Sequence, residues 1–133
     1  MPESIDEKEL RQYSAVVLAF VGDAVFELLV RSRLVANGPR QIKALHQDTV
    51  VRVKASSQAK MAQALETELT ELEHDIFRRG RNAKTNLPRH AQMSDYRLST
   101  GFEAVLGYLY LKGDMKRLRY LTDLALDSED QLL

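Results

Sequence analysis

The pattern of apolar and polar positions along the chain predicts α-helices and little else. Sustained alternating runs, which half-buried strands require, are few, and Pro occurs only at positions 2, 39 and 88, where it punctuates the pattern. The segment Asn37-Gly38-Pro39 suits a helix C-terminal cap followed by a break. The predicted fold class is therefore all-α, a helical bundle. We place its helices at residues 9–35, 42–65 with an interruption near 56–58, 68–79, 95–112 and 115–125.

Within the first predicted helix, the segment LAFVGDAVFELLV (residues 18–30) is almost wholly apolar but contains Gly22 and Asp23. Gly in a helix interior costs about 1 kcal/mol relative to Ala. An ionised carboxylate is seldom buried without a partner or a metal ion. Helix propensity therefore explains neither residue.

Asp23 lies on one stripe of this helix with Glu27 and Arg31, at about 100° per residue. For Glu27 we favour a solvent-facing ion pair with Arg31, four residues later. Asp23 fits that interpretation less well, because the preceding turn of the stripe is apolar and needs another element to cover it. A surface role and a functional role for Asp23 both stay open. The apolar residues of that turn are Val16, Ala19 and Phe20.

Glu103 is the second candidate acid, in the segment STGFEAVLGYLYL (residues 99–111). It lies beside a predicted core face and one turn before Gly107. Its spacing from Thr100 also matches a capping box, in which case Glu103 would begin a helix. The predicted core face consists of Leu98, Phe102, Val105, Leu106 and Leu109.

The two glycines near these acids suggest that the acids meet. Gly22 beside Asp23, and Gly107 a turn from Glu103, would permit two helices to approach closely and bring together carboxylates 80 positions apart. Two carboxylates in a partly buried cleft repel each other unless a cation joins them. Because the chain has no Cys and no cluster of His, the hard oxygen ligands favour Mg²⁺ or Mn²⁺ over zinc.

Length and composition limit the class of protein. At 133 residues we expect a single domain, residues 1–133. The absence of Cys argues against a disulfide framework, and the polar, acidic start MPESIDEKEL is unlike a signal peptide. Since no apolar run reaches the roughly 18 residues of a membrane span, we expect a soluble protein of the cytoplasm.

The formal net charge is zero, with 19 basic and 19 acidic residues, but the charges are unevenly distributed. Residues 78–90, which we call the basic segment, contain five basic residues and no acid. Charged loops are usually only solvated; the second interpretation is that the basic segment holds a polyanion against the metal ion. Such an arrangement hydrolyses phosphodiesters, with nucleic acid as the expected polyanion. The five basic residues are Arg78, Arg79, Arg81, Lys84 and Arg89.

The residues around both acids resemble ribonuclease III. The segment FVGDAVFE (20–27) resembles its signature helix, and FEAVLG (102–107) resembles its second acidic motif. The segments RRGRNAK (78–84) and YRLSTGFEAVLGYLYL (96–111) are more closely similar to Mini-ribonuclease III, a catalytic domain without a double-stranded RNA-binding domain. The resemblance extends over residues 14–126 and is specific, because two motifs at the right separation plus the basic segment are hard to obtain by chance.

The resemblance implies an all-helical homodimer that cleaves both strands of double-stranded RNA with Mg²⁺, for which Mn²⁺ substitutes, leaving 5′-phosphate and 3′-hydroxyl ends. It also implies a task in maturing large-subunit (23S) ribosomal RNA from its precursor. Asp23 and Glu103 match the two family acids and would be catalytic metal ligands. Since duplex RNA is recognised mainly by shape, we expect phosphate or groove contacts from basic and amide side chains. These are Arg78, Arg79, Arg81, Asn82, Lys84 and Arg97.

The chain departs from the pattern of full-length ribonuclease III at three positions. Val16 and Ala19 stand where that pattern has glutamates, and Thr100 stands where it has an aspartate. With fewer protein oxygens, one Mg²⁺ that keeps several waters fits better than a two-metal cluster. The Mini branch shares the reduced set, so cleavage is still expected.

A dimer is expected on physical grounds as well. One site built from Asp23 and Glu103 addresses one scissile phosphate, so cutting both strands requires two sites related by a twofold axis. The first predicted helix has apolar residues on more than one face, which favours its burial between subunits. We expect Phe20 and Val16 in that interface.

Two functions of other classes remain open. A catalytically weak or inactive double-stranded RNA-binding protein with the same fold would account for the acids missing at positions 16, 19 and 100. A helical protein-interaction module would instead use the basic segment to meet an acidic partner.

Overall fold

The structure is a computed structural model that describes residues 3–84 and 92–132. These residues form seven α-helices and one 3₁₀ turn, with no strand in the described ranges, so the all-α prediction is confirmed. None of these helices is both long and apolar enough to cross a membrane. The helices are α1 (Glu7–Leu10), α2 (Ala15–Ala36), α3 (Ile42–Val53), α4 (Ala55–Leu65), α5 (Glu71–Arg81), α6 (Met93–Lys112) and α7 (Met115–Leu132), and the 3₁₀ turn is Glu66–Glu68.

The first predicted helix is two helices, so its prediction as one continuous element is wrong. Ser14 is extended and caps α2, accepting a hydrogen bond from the Val17 amide at 3.2 Å. The Arg79 guanidinium donates to the Tyr13 carbonyl at 3.1 Å. A side-chain cap and a distant cation thus satisfy backbone groups that a continuous helix would have paired internally.

The predicted interruption at 56–58 is also misplaced, since the chain breaks at Lys54, which is extended. Ser57 and Gln58 lie inside α4, where their side chains donate to the Val51 and Val53 carbonyls at 2.6 and 2.7 Å. These polar residues therefore satisfy the end of α3 and do not interrupt α4.

Helix α7 continues seven residues beyond its predicted end at 125. Leu126 and Glu129 are buried, which extends the inward face of the helix through its last turns. Asp130 binds Arg52 at 2.9 Å and Arg33 at 3.3 Å. Ion pairs to α2 and α3 thus stabilise the helical turns beyond the predicted end of α7.

A buried ion pair joins α5 to α7. Arg117 donates to both oxygens of Glu73, at 2.8 and 2.9 Å, and Thr70 forms a capping box with Glu73. Burial raises the pKa of the Glu73 carboxyl, but the hydrogen bonds from Arg117 and Thr70 outweigh it and leave that pKa below its usual value. These contacts fix the start of α5 at Glu71 and thereby orient the basic end of the same helix.

Helix α6 is the central element of the bundle, with α2, α4 and α5 packed around it. Of the eleven positions from 99 to 109, all except 103 are buried. Four residues of its predicted core face are buried and Leu98 is half-buried, so that prediction is largely confirmed. The Phe26 ring of α2 meets Phe102 edge-on, with centroids 5.1 Å apart.

Candidate active site

Helices α2 and α6 cross with their backbones in direct contact at two glycines. A Cβ atom on Gly22 would lie 1.7 Å from the Glu103 carbonyl oxygen, and one on Gly107 would lie 1.9 Å from the Leu18 carbonyl oxygen. Both distances are far inside van der Waals contact, and the obstructing atoms belong to the backbone. The predicted close approach of the two helices is therefore confirmed.

This crossing brings the two candidate acids together. Asp23 is exposed on α2 and Glu103 is half-buried on α6, and their side chains are within hydrogen-bonding contact. Burial raises the pKa of the Glu103 carboxyl, and the hydrogen bond and negative charge of Asp23 raise it further, to about 9. The adjacent acids thus resist simultaneous ionisation in the absence of a cation.

The capping-box interpretation of Glu103 is wrong. Gln92 is the N-cap of α6, so Thr100 and Glu103 lie well inside the helix. The Thr100 hydroxyl is buried and donates to the Tyr96 carbonyl at 3.0 Å. Helix α6 begins at Met93, two residues before the predicted start and ten before Glu103. The Glu103 carboxyl therefore does not cap the helix and lies beside Asp23 instead.

The donor set of the acid pair fits a hard divalent ion. Neither Asp23 nor Glu103 makes an ion pair with a Lys, Arg or His of the described residues, and no three or more Asp, Glu, His or Cys side chains of that part of the chain are placed to hold a metal ion together. Two carboxylates supply part of an octahedral oxygen shell, and water supplies the rest. Mg²⁺ and Mn²⁺ suit this arrangement, with Asp23 and Glu103 as the residues that would hold the ion.

Glu27 lies outside the acid pair. It forms an ion pair with Arg31 at 3.1 Å, and both side chains are substantially exposed. The interpretation of Glu27 as a surface pair is therefore confirmed.

Gln58 is a residue of the site that the sequence pattern did not reveal. It is 3% exposed, and its Nε2 atom approaches Oε2 of Glu103 at 3.4 Å. The sequence does contain an indication that Gln58 is buried, because it falls on the apolar stripe of α4 with Met61, Ala62 and Leu65. A polar residue on a core stripe indicates a buried polar partner, but the neighbouring serines favoured a helix break instead.

The described part of the basic segment leaves α5 next to α6. A Cβ on Gly80 would lie 2.8 Å from the Gly101 Cα, which is two residues before Glu103 in α6. Helix α5 continues to Arg81, so the predicted end of this helix at residue 79 is wrong. The close contact of two glycines explains the longer helix, because Gly80 packs there as a helical residue.

The basic side chains have different surroundings. Arg79 binds the Tyr13 carbonyl, Arg78 pairs with Asp75 at 3.3 Å, and the Arg81 guanidinium lies 6.0 Å from the Phe77 ring centroid. The side chains of Asn82, which caps α5, and of Lys84 and Arg97 are exposed. Arg89 lies outside the described residues.

An apolar stripe precedes Asp23 on α2, and none of the described residues covers it. Phe20 is 80% exposed, Val16 is 40% exposed and Val17 is 45% exposed. Phe20 lies three residues before Asp23, so the stripe and the acid share one side of the helix. Ala19, in contrast, is buried.

The ribonuclease III domain family matches residues 16–114, a range that contains both acids and the basic segment. The chain belongs to the ribonuclease III family. It is 43% identical over 124 residues to a Mini-ribonuclease 3 of Thermoanaerobacter sp., covering 92% of this chain and 87% of that protein. It is 48% identical over 121 residues to a Mini-ribonuclease 3 of Gloeobacter violaceus, covering 91% and 88%. This ribonuclease III family member thus falls within the Mini-ribonuclease 3 group.

A solved structure supports the same fold. The crystal structure of a protein from Fusobacterium nucleatum superposes with a TM-score of 0.81 and 29% sequence identity, covering 91% of this chain and 98% of that one. Membership in the ribonuclease III family makes this chain an endoribonuclease of double-stranded RNA, a class that generally depends on a divalent metal ion.

Proposed function

We propose that this chain is an Mg²⁺-dependent endoribonuclease that cleaves both strands of double-stranded RNA, with Asp23 and Glu103 as metal ligands. The observation that carries the proposal is the contact between these two carboxyl groups at the crossing of α2 and α6. Neither group forms an ion pair with a Lys, Arg or His of the described residues. A divalent ion held there would activate water and neutralise charge on the scissile phosphate. The products are 5′-phosphate and 3′-hydroxyl ends.

The chain's own residues orient this chemistry. Gly22 and Gly107 let the helices that carry the two acids approach closely, and the start of the basic segment packs on α6 at Gly101, two residues before Glu103. Arg78, Arg79, Arg81, Asn82, Lys84 and Arg97 contact phosphates or a groove of the duplex. Residues 1–133 act as one catalytic domain, and because its duplex contacts are chiefly to phosphates, its RNA binding is strongly salt-dependent.

The proposed physiological substrate is the precursor of large-subunit (23S) ribosomal RNA in the cytoplasm, the task implied by the resemblance to Mini-ribonuclease III. The test is incubation of the purified protein with a transcript that pairs the two precursor ends, with Mg²⁺ or with EDTA. Staggered cutting of both strands, dependent on Mg²⁺, is the expected result. Binding without cutting would support an inactive RNA-binding protein, and neither binding nor cutting would support a protein-interaction module.

The basic segment is expected to set the salt dependence of RNA binding. Replacing Arg81 and Lys84 by alanine should weaken duplex binding and reduce the slope of log K against log salt by about 0.7 to 0.9 per lost phosphate contact. Binding measured by fluorescence anisotropy over a series of salt concentrations tests this. The charge-matched control is the Lys116→Ala, Arg119→Ala double variant on α7, which should keep the parent slope. An unchanged slope in the basic-segment variant would remove Arg81 and Lys84 from the RNA surface.

A homodimer built on the apolar stripe of α2 completes the proposal. Two copies related by a twofold axis would place one acid pair at each strand and cover Phe20 and Val16. The supporting observation is that Phe20, on the same face of α2 as Asp23, is 80% exposed.

Substituting Phe20 by aspartate is expected to shift the protein to monomer. A buried aromatic at the centre of an interface typically contributes 2 kcal/mol or more, so the dissociation constant should rise about 30-fold or more. Sedimentation equilibrium measures the change. Ile42, which is also 80% exposed but lies on α3, provides the matched control as Ile42→Asp. If both variants keep the parent's association state, Phe20 is not in an interface.

A further inference from the structure

The Gln58 side chain is buried beside the acid pair. It is one of few polar residues among the buried positions of α4, and only 3% of it is exposed. Burying an amide is costly unless its donors and acceptor find partners. Its surroundings therefore show what the site requires of it.

The neighbours of Gln58 dictate how its amide is oriented. Nε2 donates to the Val53 carbonyl at 2.7 Å, where α3 ends, and makes a longer contact of 3.4 Å with Oε2 of Glu103. The Val53 carbonyl can only accept a hydrogen bond, so turning the amide over would place Oε1 of Gln58 against another oxygen at 2.7 Å. Nε2 therefore faces Val53 and Glu103, and Oε1 faces elsewhere.

The Oε1 atom of Gln58 is buried and accepts no hydrogen bond from the described residues. An acceptor left in this state destabilises the folded protein, and such atoms in native proteins usually face a water or an ion. Because Oε1 and Nε2 belong to one planar amide, this acceptor lies next to the atom that touches Glu103.

We propose that Gln58 is a positioning residue of the metal centre: Nε2 holds Oε2 of Glu103, and Oε1 accepts a hydrogen bond from the hydration shell of the divalent ion. The inference rests on the proposed function, since it requires an ion at Asp23 and Glu103. An ion with only two protein carboxylates keeps several waters, which need acceptors in a partly buried site. Gln58 supplies such an acceptor from a third helix, α4.

Mn²⁺ binding to the metal-free full chain tests the proposal by calorimetry. Gln58→Met, of similar length but without polar atoms, should bind Mn²⁺ about 10- to 100-fold more weakly, the usual effect of losing a partner of this kind. Gln63→Met is the matched control, because Gln63 is exposed on the same helix and should leave the affinity unchanged. Asp23→Asn should abolish the specific binding.

The outcomes separate this inference from the proposed function. If Asp23→Asn binds Mn²⁺ as the parent does, the metal centre itself is wrongly placed. If Asp23→Asn loses the ion and Gln58→Met keeps the parent affinity, the metal centre stands and the role of Gln58 is overturned. A lower melting temperature of Gln58→Met with unchanged Mn²⁺ affinity would likewise assign Gln58 a merely structural role.

A crystal structure of the parent protein with Mn²⁺ gives a test that does not depend on a variant folding. The expected result is Gln58 Oε1 within about 2.6 to 3.2 Å of a water on the ion, with Nε2 still on Glu103. An Oε1 atom beyond hydrogen-bonding distance of every such water would overturn the proposal.

Discussion

A Gly107→Ala variant is expected to lose at least about 3 kcal/mol of stability, the upper range for inserting atoms into a packed core. The added Cβ would lie 1.9 Å from the Leu18 carbonyl oxygen, and a backbone atom cannot rotate away as a side chain can. Gly22→Ala should behave alike, because its Cβ would meet the Glu103 carbonyl oxygen at 1.7 Å. The gain of about 1 kcal/mol in helix propensity is smaller than the steric cost.

Thermal unfolding followed by circular dichroism measures this effect, and a fall in Tm of about 10 °C or more is expected. Ser32→Ala, an exposed position on α2, is the control that introduces alanine into the same helix without a steric conflict. Its Tm should change by no more than a few degrees. If the Gly107→Ala variant had the same Tm as the parent protein, α2 and α6 would not cross with their backbones in contact.

Asp23→Asn and Glu103→Gln are each expected to reduce the rate of duplex RNA cleavage by at least about 10³-fold. Either change removes one of two anionic ligands, so the ion that stabilises charge on the phosphate is lost or displaced. Single-turnover cleavage of a labelled duplex at saturating Mg²⁺ is the measurement. Glu27→Gln is the matched control on α2, because Glu27 pairs with Arg31 at the surface and should leave the rate within about twofold.

The fold of these variants is checked by their stability without metal. In the metal-free protein the pKa of Glu103 is raised to about 9, so the folded state holds a proton that the unfolded state releases near the usual value of 4.5. Folding therefore requires Glu103 to take up a proton, and the stability of the folded protein decreases as pH rises from about 5 to 9. Glu103→Gln should unfold at a Tm no lower than that of the parent over this range. A variant that is stable and still cleaves at the parent rate would refute the assignment of the acids.

Much of the helical content could be predicted because helix periodicity is local. The predicted 95–112 differs from α6 by two residues, and four of the five apolar positions selected by the pattern are buried. The two glycines could be interpreted in the same way, because a residue that costs helix stability inside an apolar run requires a packing reason. Because Gly22 and Gly107 lie close to Asp23 and Glu103 in sequence, they also indicated where the two acids come together.

The errors lie where distant partners decide the backbone. Nothing near Ser14 in sequence shows that Arg79 donates a hydrogen bond to the Tyr13 carbonyl or that the helix is interrupted there. The serines before Gln58 indicated a helix break, whereas in the fold Ser57 and Gln58 donate hydrogen bonds to carbonyls at the end of α3. The extent of α7 likewise depends on ion pairs with Arg33 and Arg52.

By itself, the sequence determined the helical class, the two acids and the basic segment, since residue type and spacing along one helix carry that information. Only the tertiary structure decided that the Asp23 and Glu103 carboxyl groups touch, that Gln58 joins them from a third helix, and that no described residue covers Phe20. Contacts between helices depend on how close their backbones approach and which faces they present to each other. Those quantities are set by the packing of the whole bundle, which no single segment encodes.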